Sequence, residues 1–334
     1  MKREKLKDNV AGEDGCGAGI QLKFSSHLLA WYHAHARDLP WRKGRDPYRV
    51  WVSEIMLQQT RVAAVLEHYR VFLRRFPTVQ KLAAAREASV LAMWSGLGYY
   101  RRARMLHAAA KLVVREHGGR FPETSQALRQ LPGIGRYTAA AIASIAFAEP
   151  VAVVDGNVER VLSRLFGKPL DERATWRAAE ELLDRTRPGD ANQAMMELGA
   201  TVCLPREPKC LLCPVSEFCV TRGDLPRTSR PAPQTKREIQ FGLARRNGEV
   251  FLRQRSKTES LMPGMWELPH LSGEQRGRAL LSLRHSITVT DYSVRVLEFA
   301  CPDEHAGNWI AGSRLTSLPL TGLARKILRK VEML

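Results

Sequence analysis

Four cysteines fall within one short run of this chain: Cys203, Cys210, Cys213 and Cys219, spaced C-x6-C-x2-C-x5-C. Thiolates are soft ligands, and four in one loop suit a tetrahedral zinc or a cubane iron–sulfur cluster. Pro205, Pro208 and Pro214 keep the run out of a regular helix. The remaining two cysteines, Cys16 and Cys301, lie far off. Disulfides are the competing use of such a set. The first residues carry no apolar leader core, so an intracellular, reducing setting is expected and disulfides are disfavoured. Spacing alone leaves iron and zinc open, although the uneven pairing favours the cluster.

Two carboxylates suggest a second chemistry. Asp155 ends the apolar run Val153-Val154 and precedes Gly156-Asn157-Val158, where a helix N-cap belongs. Backbone amides and the helix dipole there favour its ionised form. Glu54 sits among Val52, Ile55, Met56 and Leu57, company that raises a carboxyl's pKa. Taken singly, each has a plainer use: Asp155 as a cap, Glu54 as an exposed helix residue. Together, one protonated and one ionised carboxyl suit cleavage of a glycosidic bond through an oxocarbenium-like state. In DNA that bond joins base to deoxyribose, and reaching it requires flipping the nucleotide out of the stack.

Leu131-Pro-Gly-Ile-Gly-Arg-Tyr-Thr138 reads as a helix, a tight turn and a helix. Gly133 and Gly135 let backbone amides approach an anion with no Cβ in the way, and the next helix adds its positive end. Alone the motif is a turn. Beside 52 Lys+Arg against 34 Asp+Glu, a formal net charge of +18 and a pI near 10.1, it points to a DNA phosphate.

These groups need a frame, and the pattern supplies one. From about Ile20 to Cys219 the chain reads as helices separated by Gly or Pro turns, with spans expected at 51–69, 82–94, 103–116, 138–147, 157–166 and 176–183. After Cys219 the pattern changes. A Pro-rich linker gives way to alternating segments at 239–245 and 249–255, joined by Asn247-Gly248, a hairpin signal. Further alternation at 286–290 and 293–299 and a basic amphipathic helix at 323–331 complete a small α+β domain. The longest apolar stretch, Ala139 to Ala148, is too short to cross a membrane, and no heptad marks an oligomer, so a monomer is expected.

Several motifs then align with one family: Arg37-Asp-Leu-Pro-Trp-Arg42, Ser53-Glu-Ile-Met-Leu-Gln-Gln-Thr60, Gly96-Leu-Gly-Tyr-Tyr100, the Leu131–Thr138 turn, Val154-Asp-Gly-Asn-Val158 and the four cysteines. The chain resembles the helix–hairpin–helix DNA glycosylases of the endonuclease III superfamily, most closely the MutY-type adenine DNA glycosylases. The resemblance implies a [4Fe–4S] cluster and a partner that is double-stranded DNA containing adenine mispaired with 8-oxoguanine or guanine. It implies Glu54 protonating the purine, Asp155 stabilising the cationic sugar, and Tyr137 and Asn157 beside them. Arg37, Trp41, Arg42, Leu57 and Gln193 resemble the adenine pocket. Gln59 and Tyr99 resemble probes inserted into the duplex, with Thr60 near the opposing base. In the lyase branch the Tyr137 position carries an attacking Lys; a phenol cannot form that Schiff base, so a monofunctional enzyme with little strand cleavage is expected.

The family's layout implies a disordered tail at 1–19 and a glycosylase domain at 20–223, with its cluster loop at 203–219. A linker at 224–236 and a Nudix-like lesion-recognition domain at 237–334 follow. Gly264-Met-Trp-Glu-Leu-Pro269 matches a recurrent element of that domain, and no Nudix hydrolase box follows. Where many relatives have Phe-Ser-His, this chain has Leu283-Arg284-His285, keeping only the His. The implied location is the cytoplasm, at the nucleoid. Two other readings compete: a thymine or uracil mismatch glycosylase of the same fold, and a non-catalytic damage binder or redox sensor.

Overall fold

The computed structural model describes residues 16–225, 235–271, 279–287, 290–299 and 306–334. Residues 1–15 of the expected tail, 226–234 of the expected linker, and Cys301 lie outside the described residues; the described end of the tail already begins a helix at Cys16, and the end of the linker a strand at Thr235.

Twelve α-helices are described: α1 Cys16–His35, α2 Pro47–Leu57, α3 Val62–Arg75, α4 Val79–Ala83, α5 Glu87–Trp94, α6 Tyr100–His117, α7 Ser125–Leu128, α8 Arg136–Phe147, α9 Gly156–Phe166, α10 Glu172–Leu182, α11 Pro188–Thr201 and α12 Gly322–Lys330. Strands are β1 Thr235–Leu243, β2 Arg245–Arg246, β3 Glu249–Gln254, β4 Trp266–Glu267, β5 Ala279–Ile287, β6 Thr290–Glu298 and β7 Asn308–Ala311. None of the described helices is long and apolar enough to cross a membrane.

Local chemistry fixes many ends. Asp46 caps α2 through Tyr48 N at 2.9 Å, with Pro47 in the first turn. Gly167 closes α9 at φ 71°. Asn247 and Gly248, at φ 45° and 76°, turn the chain between β2 and β3, with Arg246 paired to Glu249; the expected hairpin arm at 239–243 instead lies in β1, which pairs in parallel with β6.

Three expectations are corrected. The span 51–69 is two helices, because Gln59 takes a left-handed φ of 54° and ends the first at Leu57. The span 82–94 also divides, between α4 and α5. The alternation at 286–290 is the end of β5 and the start of β6, which pair antiparallel from Ala279 to Ile287, with a bulge near Leu281. Helix α11 was not expected at all.

The residues cluster into two compact units, with bounds Met1–Gln59 plus Leu112–Thr228, and Thr60–Lys111 plus Ser229–Leu334. In the first unit, Phe24, Leu28 and Leu29 of α1 pack with Val161 and Leu165 of α9, Leu198 of α11, and Val215 and Phe218 of the cysteine loop. In the second, β1 pairs in parallel with β6 and β6 with β5, while β3 pairs with β2, β4 and β7. Phe241, Val250, Leu252, Val294 and Val296 form that unit's strand core, covered by Leu323, Ile327 and Leu328 of α12. Segment 60–111 joins this unit through named bonds. Ser95 Oγ and Tyr100 OH donate to the Leu320 carbonyl at 2.8 and 3.1 Å, and Arg325 donates to the Ser95 carbonyl at 3.1 Å.

Candidate active site and cysteine loop

The site in the first unit is assembled by helix ends. Asp155 caps α9: its Oδ1 accepts from Asn157 N at 2.9 Å and Val158 N at 2.8 Å, and its Oδ2 accepts from Asn157 Nδ2 at 2.9 Å. Asn157 Oδ1 in turn accepts from Arg160 at 2.8 Å. The extended segment leading to Asp155 is pinned from behind. Asn192, on α11, accepts from Val153 N and donates to the Val151 carbonyl, both at 2.9 Å. Gly199 permits the close crossing of α9 and α11, since a Cβ there would lie 2.6 Å from Asn157 Cβ.

Glu54 comes from the last half of α2 and is 6% exposed. Tyr137, from the first turn of α8, donates to its Oε2 at 2.5 Å. Burial raises the Glu54 pKa to about 7. The Tyr137 hydrogen bond and Arg42 pull it down, and the Asp155 charge pushes it up. Burial, followed by the charges of Glu54 and Asp155, pushes the Tyr137 phenol well above its ordinary value, so it stays a donor. The site therefore holds one carboxyl that carries a proton near neutrality and a second, Asp155, that accepts from three N–H donors.

A second cluster in the same unit centres on Glu197 of α11, a residue no motif marked. Its carboxylate takes a two-bond fork from Arg37, 2.7 Å on each side, and a 2.8 Å bond from Arg42. Burial opposes ionisation, but the hydrogen bonds from Arg37 and Arg42 outweigh it and hold Glu197 at about 2. Trp41, buried, lies between the two arginines in the 3-10 turn Pro40–Arg42. Leu57 is partly exposed one turn beyond Glu54 on α2, and Gln193 lies one turn before Glu197 on α11.

The helix–turn–helix motif is present as α7, a turn and α8. Gly133 uses φ 75°, whereas Gly135 has the extended backbone of an N-cap. A Cβ at Gly135 would meet nothing within 4 Å, so only an outside partner would feel it.

All four cysteines line one cavity with Arg164, Lys209 and Arg222. They are free thiols. Arg164, 5% exposed, donates to Cys203 Sγ at 3.2 Å, and Arg222 N donates to Cys219 Sγ at 3.4 Å. Burial raises the Cys213 thiol to about 11 and also lifts Cys210. Among the described residues no three Cys, His, Asp or Glu side chains converge closely enough to hold a single ion.

A family model described as the HhH-GPD superfamily of base excision DNA repair proteins matches residues 52–186. A thermostable thymine-DNA glycosylase structure is 32% identical, with TM-score 0.58, over 61% of this chain and 97% of its own. The chain belongs to the HhH-GPD superfamily. An endonuclease III–DNA complex, 22% identical with TM-score 0.53 over 62% of this chain and 96% of its own, shares the fold. Adenine DNA glycosylases of Mus musculus and Arabidopsis thaliana are 50% and 41% identical over 60% and 74% of this chain. The chain spans 43% and 47% of their respective lengths.

The remaining expected residues of this HhH-GPD protein belong to the second unit, apart from exposed Gln59 at the end of the first. Arg102 joins Thr60 and Tyr99: its Nη2 donates to Thr60 Oγ1 at 3.1 Å, and its guanidinium lies 5.3 Å from the Tyr99 ring centroid. His285 lies on β5 opposite Tyr292, half-buried, its pKa lowered by burial and then by Lys326. Glu197, Asn192, Arg160 and Arg164 were missed. The available signal was faint: Pro188 and Asp190 open α11 in the positions that start a helix.

Proposed function

We propose that this chain removes adenine mispaired with 8-oxoguanine or guanine from double-stranded DNA, as a monofunctional glycosylase. The observation that carries this reading is Glu54, buried, held near pKa 7 and hydrogen-bonded to Tyr137 in the same site as Asp155. Tyr137 occupies Glu54 Oε2, which leaves Oε1 to hold the proton. That proton passes to N7 of the flipped adenine. The C1′–N9 bond breaks with its electron pair leaving on the base, and the Asp155 carboxylate stabilises the sugar cation. Water then adds at C1′, and its proton restores a carboxyl. The Glu197–Arg37–Arg42 cluster, with Trp41, Leu57 and Gln193, walls the base pocket. Gly133 and Gly135 bind a backbone phosphate, with Tyr99, Gln59 and Thr60 at the mispair and His285 at the oxidised base in a Nudix-like domain.

The cysteine loop suits a [4Fe–4S] cluster. Zinc needs thiolates at about 2.3 Å from one point, and no three of the described side chains converge in that way, whereas the four cysteines share one cavity with N–H donors aimed at sulfur. The cluster would cross-link the loop, and exposed Arg206 and Lys209 would then meet phosphates.

Single-turnover release from duplexes with adenine opposite 8-oxoguanine, adenine opposite guanine and thymine opposite guanine tests the reading, with and without alkali. Adenine release, with little strand cleavage before alkali, is expected. Thymine release alone supports the mismatch reading, and tight binding without release of any base supports a binder.

A further inference from the structure

Arg102 is not an ordinary surface cation. Its guanidinium sits 5.5 Å from the Trp94 ring centroid and 5.3 Å from that of Tyr99. Nη2 donates to Thr60 Oγ1 at 3.1 Å and to the carbonyls of Leu97 and Gly98 at 3.3 Å. The loop it braces is strained: Gly98 and Tyr99 both take left-handed φ, at 70° and 48°, and Tyr99 is not a glycine. Trp94 Nε1 adds a 3.2 Å bond to the Gly98 carbonyl. Tyr99 is nonetheless 46% exposed, a large aromatic ring offered outward from a loop tied down on its inner side. Burial lowers the Arg102 pKa to about 10, so it remains a cation at neutral pH.

We infer that Arg102 is a positioning residue that fixes the spacing and pose of Tyr99 and Thr60, two side chains from separate segments that meet the mispair. The inference rests on the proposed base-excision reading and adds to it the device that holds the probes. An arginine suits this role because its plane stacks on aromatic rings while its edge serves a hydroxyl and two carbonyls. Lysine keeps the charge but not the plane.

The test uses the full chain with Arg102→Met and Arg102→Lys. Thermal melting and visible absorbance of each variant check the fold. Single-turnover excision of adenine opposite 8-oxoguanine is expected to slow about tenfold or more in Arg102→Met, as misplaced positioning groups do. Arg102→Lys is expected to fall between that variant and the wild type. Fluorescence of 2-aminopurine at the target position should lose its flipping signal in step. The pH profile, set by Glu54, should not move. Independently of activity, 19F NMR of 3-fluorotyrosine protein, with Tyr99 assigned through Tyr99→Phe, should show the Tyr99 line shifted or broadened in both variants. Should Arg102→Met fail to fold, Arg102→Lys carries the test alone. An unmoved Tyr99 line, or excision within twofold of wild type in a folded variant, overturns the inference. A wild-type protein inert on adenine overturns the functional reading, whereas an unmoved Tyr99 line overturns the positioning role of Arg102 by itself.

Discussion

Glu54 and Glu197 are buried to nearly the same degree, 6% and 1% exposed, within one helical unit, yet their carboxyls move in opposite directions. Glu54 has a phenol as its direct partner and rises to about 7; Glu197 has two guanidiniums and falls to about 2. Burial pushes both carboxyls up; the hydrogen bond from a neutral phenol is too weak to reverse that at Glu54, whereas two guanidiniums reverse it at Glu197. Helix α2 thus presents a carboxyl that keeps a proton near neutrality, and α11 supplies a fixed anion that holds two arginines in place.

Replacing each glutamate with glutamine separates the two roles most sharply. Glu54→Gln is expected to slow adenine release about a thousandfold, as loss of a general acid does, measured in single turnover. The same variant should be more stable than wild type at pH 8. Glu54 binds its proton more tightly folded than unfolded, so stability falls as pH rises from 4.5 through about 7. The difference is up to ~3 kcal/mol. Glu197→Gln should do the reverse. Its ionised form stabilises the fold above pH 4.5, and that contribution is lost as pH falls towards about 2. Removing it at pH 7 strands two cations and costs about 3 kcal/mol, read by denaturant unfolding. Equal stability changes of one sign would break the comparison.

The wild-type rate should itself report Glu54. Release is expected to be level below pH 7 and to fall about tenfold per unit above it, followed by excision rates across a buffer series. Tyr137→Phe removes the hydrogen bond that lowers the Glu54 pKa, so this fall should move to higher pH, with a severalfold change in rate at neutrality. Gly199 offers a test from the Asp155 side of the site. The Cβ of Gly199→Ala presses on Asn157, and a slower rate with unchanged pH dependence would place the damage at Asp155 rather than Glu54.

What could be read in advance was local. Asp155 announces itself because a cap needs only its next three residues, and the cysteines because they share a loop. Gln59 was singled out by its motif, but the chain break it makes was not. Ile55, Val62 and Leu66 keep helical spacing across the break, and only the backbone strain at Gln59 ends the first helix. Glu197 and α11 were illegible for a different reason. The helix buries small residues, Ala191, Ala194 and Gly199, on several sides and so lacks a clear apolar stripe. Glu197 gains its meaning from Arg37, 160 residues away. The division of the chain into units was hidden likewise, since it depends on a tie between Ser95 and Leu320 that no local pattern records.

That tie sets a waiting time. Ser95 and the carbonyl it serves are 225 residues apart. At about 5–20 residues per second, a ribosome reaches Leu320 roughly 10–45 s after Ser95. Through that interval the hydroxyls of Ser95 and Tyr100, fully enclosed in the finished molecule, have no acceptor at Leu320, and the Tyr99 loop between them lacks its outer support. The nascent chain therefore carries an incomplete second unit after all residues of the first have been made. Premature termination before Leu320 leaves Ser95 and Tyr100 without that acceptor and the Tyr99 loop unsecured, exposed to chaperones and proteases.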